Sequence, residues 1–167
     1  VVTEDGIRDT VRQIILPIWN SWYFLSLYAN AAGTQGTFRT DSTDVLDRYI
    51  LAKTHDLLGT LTKTMDDYDL FAACGAVRSF LDALTNWYVR RSRDRFWSDD
   101  KESPEKLDAY WTLYECLLTT CKLIAPFTPF LAEGLWRNLA GVFGVRAAES
   151  VHLCDYPAGG SFVDDTL

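Results

Sequence analysis

The sequence predicts an all-α fold, an antiparallel bundle of four long helices with a short fifth helix and an irregular C-terminal tail. Three observations predict it. Apolar residues recur at i, i+3, i+4 and i+7 over windows much longer than a strand. Those windows open on Ser, Thr or Asp and close at Gly or Pro. The period-2 alternation of a half-buried strand is nearly absent. A chain of 167 residues is long enough for one domain with a substantial core, and 48% hydrophobic with 14% aromatic content excludes disorder as its general state. Residues 1–157 are read as the bundle and 158–167 as the tail.

The first helix is expected from about Asp5 to Ala32, ending at Gly33. Val11, Ile14, Ile15, Ile18, Trp22, Leu25 and Tyr28 keep helical spacing, and Pro17 inside that pattern predicts a kink. Residues 33–43 have loop composition, after which Ser42 or Thr43 is expected to cap a second helix with Asp44 in its first turn. That helix offers Leu46, Tyr49, Ile50, Leu57, Leu58, Leu61 and Met65 to the core and ends near Asp66-Asp67. A third is expected as one continuous helix from about Asp69 to Trp97. Ser103-Pro104 forms a cap and first-turn proline pair for a fourth, with Leu107, Tyr110, Leu113, Leu117 and Cys121 as its apolar face and Pro126 as its stop. Thr128-Pro129 repeats the device for the fifth, through Leu131, Leu135, Trp136 and Leu139, closed by Gly141. Residues 150–153 and Tyr156-Pro157 are read as a short extended piece and irregular chain.

Composition narrows the function classes. The longest apolar stretch, Ile14 to Ala32, is interrupted by Pro17, Asn20, Ser21 and Ser26, which suits a core helix and not a membrane span. No basic segment precedes an apolar run at the N-terminus as in a signal peptide, and the absence of an initiator Met suggests a piece of something longer. Cys74, Cys116, Cys121 and Cys154 form no C-x-x-C pair, and three of them sit in helical apolar patterns. They are expected to be small core residues in a reducing, cytoplasmic compartment. A net charge of −7 speaks against non-specific nucleic-acid binding, yet leaves room for a local basic site.

Such a site is visible in Asn86-Trp-Tyr-Val-Arg-Arg-Ser-Arg-Asp-Arg-Phe-Trp97, where four of sixteen Lys and Arg residues fall within six positions. On a straight helix Arg91 and Arg95 continue the core meridian of Leu70, Val77, Leu84 and Tyr88. Asn86, Arg90, Arg93 and Trp97 follow i, i+4, i+7, i+11 on a more polar face. Guanidinium groups beside an aromatic ring suit phosphate contact with base stacking on unpaired RNA. The same residues also suit a structural role, with Arg91 and Arg95 paired to some of the twenty-three carboxylates and Trp97 covering the core. Aromatic and Arg residues favour protein interfaces as well.

Catalytic constellations are missing. Gly33-Thr-Gln-Gly36 lacks the spacing and context of a phosphate loop, and Glu149-x-x-His152 has no second copy to complete a bundle di-metal site. No His is placed to activate a Ser or Cys.

Several ordered blocks resemble a known family. Leu46-Asp-Arg-Tyr-Ile-Leu51, Tyr68-Asp69, Asn86-Trp-Tyr-Val-Arg-Arg-Ser-Arg93, Tyr110 with Leu113-Tyr114, Ala125-Pro-Phe-Thr-Pro-Phe-Leu-Ala-Glu133 and Ser150-Val-His-Leu153 resemble the helical anticodon-binding domain of class I aminoacyl-tRNA synthetases. Together they cover the chain from about Gly6 to Pro157. The Asn-Trp-Tyr-Val-Arg-Arg-Ser-Arg form looks most like the isoleucyl members, with valyl, leucyl and methionyl relatives less close. Neither His-Ile-Gly-His nor Lys-Met-Ser-Lys-Ser occurs, so no catalytic site, cofactor or metal is expected in this chain. The resemblance implies a longer parent that attaches isoleucine to its tRNA with ATP and Mg²⁺, and a module that grips the anticodon stem-loop. Its implied tRNA-binding residues are Arg90 and Arg93 on phosphates and Trp97 on an unpaired base, then Asn86, Arg91, Arg95 and Asn20. The implied partners are isoleucine tRNA and the parent's catalytic domain, for a monomer without membrane contact. A protein-interaction bundle is the competing reading.

Overall fold

A computed structural model describes residues 2–32, 41–100, 103–140 and 148–158, and every regular element among them is helical. The all-α bundle is therefore what the apolar periodicity predicts. Thr3 opens it, its Oγ accepting from the Gly6 amide, with Glu4 and Asp5 in the positive first turn of α1, Glu4–Thr10. A π turn, Val11–Ile15, joins α1 to α2, Leu16–Ala32. The expected disturbance at Pro17 takes this form. Proline has no amide hydrogen and its ring crowds the carbonyl four residues back, that of Gln13. The chain widens just there, with the Leu16 amide donating to the Val11 carbonyl five residues before it.

The second long helix, α3, spans Val45–Asp66. Its cap is Asp44, not Ser42 or Thr43. The Asp44 carboxylate accepts from the Leu46 and Asp47 amides at 2.8 and 3.3 Å, placing a full negative charge at the positive end of the helix. Ser42 turns inward and donates to Asp47 Oδ2 at 2.7 Å, because a buried carboxylate needs donors more than an exposed helix end does. At the far end Tyr68 adopts φ 59°, while the Asp69 and Tyr68 amides donate to the Thr64 and Met65 carbonyls. That closing motif usually takes glycine; an exposed tyrosine fills it here.

The third helix is not the single straight rod expected from 69 to 97. Capped by Asp69, α4 covers Leu70–Asp82, and a second π turn follows at Ala83–Val89, where the Arg90 amide reaches the Thr85 carbonyl. The helical path then stops at Ser92, a fully buried joint whose carbonyl accepts from the Arg95 and Phe96 amides to start α5, Arg93–Trp97. The break lets two anchors reach different places. Phe96 packs edge-on between Phe24 and Tyr110, at 4.9 and 5.0 Å between ring centroids. Arg95 reaches back to α3.

At the centre lies α6, Pro104–Ile124, which starts at Ser103-Pro104 as predicted, although the Ser103 hydroxyl caps no amide and donates to Glu105 Oε2; the helix is buried without interruption from Ala109 to Leu117. It packs on α2, α3, α5 and α7, the last spanning Pro129–Ala140. Cys116 and Cys121 lie in this core, and burial pushes each thiol up to about 12. Cys74 departs from expectation: it is exposed on α4. The expected closure of α7 by Gly141 lies outside the described residues, as does the proposed tail apart from Ala158. Residues Val151–Leu153 form a 3₁₀ turn instead of an extended piece. Local bonds decide it: Ser150 Oγ accepts from the His152 amide, and Glu133 accepts from Ser150 Oγ and the Val151 amide at 2.8 and 3.1 Å.

One buried ion pair ties these parts together. Asp47, with 0% exposure, receives both terminal nitrogens of Arg95 at 2.8 and 2.7 Å, the Tyr88 hydroxyl at 2.8 Å and the Ser42 hydroxyl. Arg95 also donates to the Glu105 carbonyl and lies 3.3 Å from Asp44. Burial opposes the Arg95 charge, but the Asp47 hydrogen bonds and charge outweigh it and raise its pKa. Burial, then the Asp47 charge, drives the Tyr88 phenol well above its usual value.

Two outcomes follow for stability. Asp47→Ala strands a mostly buried guanidinium, a phenol and a hydroxyl, and is expected to cost about 3–5 kcal/mol, whereas removing the partly exposed cap in Asp44→Ala costs about 1 kcal/mol; urea midpoints at equal m-values check the ranking. Glu115 is buried with Oε2 lacking a partner among the described residues, and burial raises its pKa, only partly opposed by Thr119 and Lys122. A raised folded-state pKa gives stability that is complete below the unfolded value near 4.5 and lost as pH rises through the folded one. Glu115→Gln should therefore raise the urea midpoint at pH 7 and make no difference near pH 4.

Candidate nucleic-acid interface

The second π turn, the Ser92 joint and α5 together decide which of the clustered arginines face solvent. Each π turn holds one more residue than an α turn, so the chain beyond it slips by one position relative to a straight helix. Val89 and Tyr88 thereby both fall in the core, and Arg90 and Arg91 both stand outside it. Arg91 thus leaves the core meridian on which straight-helix geometry puts it. Its guanidinium lies over the Trp87 ring at 4.1 Å from the centroid, one turn back.

Arg95 keeps to the core side, for the reason that the structural reading of the sequence allows. Its charge is consumed by Asp47 and Asp44, and its donors by the Glu105 carbonyl, leaving little to offer a ligand. The exposed set therefore consists of Arg90, Arg91 and Arg93 with Trp97, which is 53% exposed. None of these three arginines has an ion pair among the described residues. Trp97 Nε1 donates to the Tyr28 hydroxyl, which fixes the indole against α2 with about half of the residue exposed. Asn86 is exposed and donates to Asp82 Oδ1 at 2.6 Å, so it ties no helices together. It borders a groove of about 530 Å³ with Arg12, Gln13 and Arg78. Asn20 is exposed on α2.

Sequence reasoning passes over four residues. Trp87 is 48% exposed and is the platform for Arg91, a pairing that the i, i+4 spacing announces. Arg12 and Arg78 come from separate helical segments, and only the packing of α4 on the first π turn brings them to one groove. Lys106 is 94% buried and donates to the Ser98 carbonyl at 2.6 Å, closing the chain end of α5 from beneath. What this flank offers is charge and flat ring surface: guanidinium forks for phosphate and indole faces for stacking. Among the described residues no group of three or more His, Cys, Asp or Glu side chains is placed to hold a metal, and no helix is long and apolar enough to cross a membrane.

The family model described as "Anticodon-binding domain of tRNA ligase" matches residues 47–167. The chain is 52% identical to an isoleucine–tRNA ligase of Corynebacterium efficiens over 165 residues, 99% of this chain and 14% of that protein. It is 47% identical to one from Leifsonia xyli subsp. xyli over the whole chain, and 49% identical to one from Mycobacterium tuberculosis over 95% of it. The chain spans about 14% of the length of these relatives. With a helical bundle that follows the family's blocks in order and a family match over most of its length, the chain belongs to the anticodon-binding domains of tRNA ligases and matches the isoleucine enzymes throughout.

Proposed function

We propose that this chain binds the anticodon stem-loop of an isoleucine tRNA through Arg90, Arg93 and Trp97, as one module of a cytoplasmic, monomeric enzyme that joins isoleucine to that tRNA with ATP and Mg²⁺. One observation carries the reading. Three exposed arginines within four positions stand unpaired with any described carboxylate, in a chain whose net charge is −7, and two half-exposed indoles lie in the same segment. A solvated structural face on an acidic protein would pair those charges, as Arg8, Lys63 and Arg137 do with acids one turn away. Arg90 and Arg93 supply phosphate contacts and Trp97 a stacking surface, while Arg91 and Trp87 present a prebuilt stack. Asn86 and Asn20 are weaker candidates, and Arg95 acts from behind by holding α5. Catalysis belongs to the rest of the longer protein.

The outward face of α2 supports a second contact, with that remainder. Leu16, Trp19, Tyr23 and Leu27 are each 41–58% exposed along one side of the helix, which suits docking of the parent's catalytic domain.

Binding of an isoleucine tRNA anticodon stem-loop, compared with one of altered anticodon, tests the proposal. Arg90→Ala and Arg93→Ala are expected to weaken both loops and each to reduce the salt slope by about 1. Trp97→Ala is expected to cost about 1–3 kcal/mol and to narrow the difference between the loops. Equal binding of both loops by the unaltered chain would remove base recognition from the reading.

A further inference from the structure

The Trp97 ring does not stand alone. Beneath it lies a pocket of about 450 Å³ lined by Tyr28, Phe96, Trp97, Lys106, Tyr110 and Asp99. Four of these six side chains are aromatic, and they come from α2, α5 and α6. Tyr110 is 98% buried and its hydroxyl has no hydrogen-bond partner among the described residues. The Trp97 indole nitrogen is held by Tyr28, and Lys106 is spent on the Ser98 carbonyl, its ammonium 6.0 Å from the Tyr110 ring centroid. The pocket thus has flat apolar walls, one idle hydroxyl inside and one carboxylate, Asp99, at its exposed rim.

We infer that this pocket receives one unpaired nucleobase of a single-stranded RNA loop, stacked against Trp97 with a polar edge on the Tyr110 hydroxyl. The inference rests on the RNA-binding reading above and assigns its base-recognition point. Size fits a planar heterocycle, since pockets for small planar ligands begin near 300 Å³. Charge argues for a base over a phosphate. Among the described residues lining the pocket, the ionic group left at the mouth is the Asp99 carboxylate, which repels phosphate and accepts from an exocyclic amino group. The arginines supply what the pocket lacks: Arg93 belongs to the same five-residue helix as Trp97 and stands exposed to hold the adjoining backbone. An unmade hydrogen bond on a buried phenol is a standing cost, and a ligand edge that completes it gains that interaction in a dry site.

The test pairs protein and RNA changes. The probe is the anticodon stem-loop carrying a single abasic nucleotide at each loop position in turn, titrated against the full chain, Trp97→Ala, Tyr110→Phe and Arg93→Ala. One abasic position is expected to lower affinity about tenfold in the full chain, and to make no further difference in Trp97→Ala. Tyr110→Phe leaves the ring packing on Phe96 intact, so its effect reports the hydroxyl. It is expected to lower affinity several-fold for the intact loop and not for the loop abasic at that position. Arg93→Ala is expected to weaken every loop alike. The inference is overturned if each abasic loop loses the same factor in Trp97→Ala and Tyr110→Phe as in the full chain. In that case Arg93→Ala still weakens binding if the phosphate reading holds, and loss of that effect too removes both. A protein segment occupying the pocket would leave all RNA affinities indifferent to Trp97 and Tyr110, and likewise overturns it.

Discussion

The structure depends on one carboxylate kept out of water. Asp47 sits in the first turn of α3 and Arg95 in the last element before α6, forty-eight positions apart. Removing an acid of this kind from solvent is costly, and Coulomb attraction alone seldom returns the difference. Here the return is spread over four hydrogen bonds from Arg95, Tyr88 and Ser42 that use both oxygens of the acid. The result is more specific than strong. A greasy pair of similar volume could fill the space, but would not dictate the angle at which α5 leaves the core. The bidentate fork does, since both terminal nitrogens must meet both oxygens in one plane.

That geometry separates arginines that are neighbours in sequence. Arg95 is consumed in making the platform, and Arg90, Arg91 and Arg93 remain for whatever approaches it. The division explains how an acidic chain can carry a basic site. A global excess of carboxylates sets a repulsive background for polyanions, and only a partner placed to meet a few convergent cations, with rings to stack on, gains enough locally to offset it.

Much of this was written in local chemistry. Ser103-Pro104 and Thr128-Pro129 name helix starts because proline is harmless only in a first turn, and the apolar spacing of α3 and α6 survives intact. What was not legible depended on contacts between distant residues. Ser42 and Asp44 are both competent caps, and the choice was made by the buried Asp47, which claimed the serine. A π turn has no residue signature, so Ala83–Val89 reads as ordinary helix and straight-helix geometry misplaces Arg91. Arg93 and Arg95 look interchangeable until the break at Ser92 turns one out and one in. Of the site, the exposed Arg90, Arg93 and Trp97 were legible from helical phase, but Tyr110, Lys106 and Tyr28 meet Trp97 only through packing of three helices.

The widened turn at Ala83–Val89 also bears on how such a chain tolerates change in length. A deletion of one residue inside it would restore regular i to i+4 bonding and improve the local helix. Every position downstream would then rotate relative to the core, carrying Arg90 and Arg93 away from their flank and breaking the reach of Arg95 to Asp47. The segment is consequently a place where shortening heals the backbone and ruins the surface, and where the number of residues, more than their identity, is under constraint.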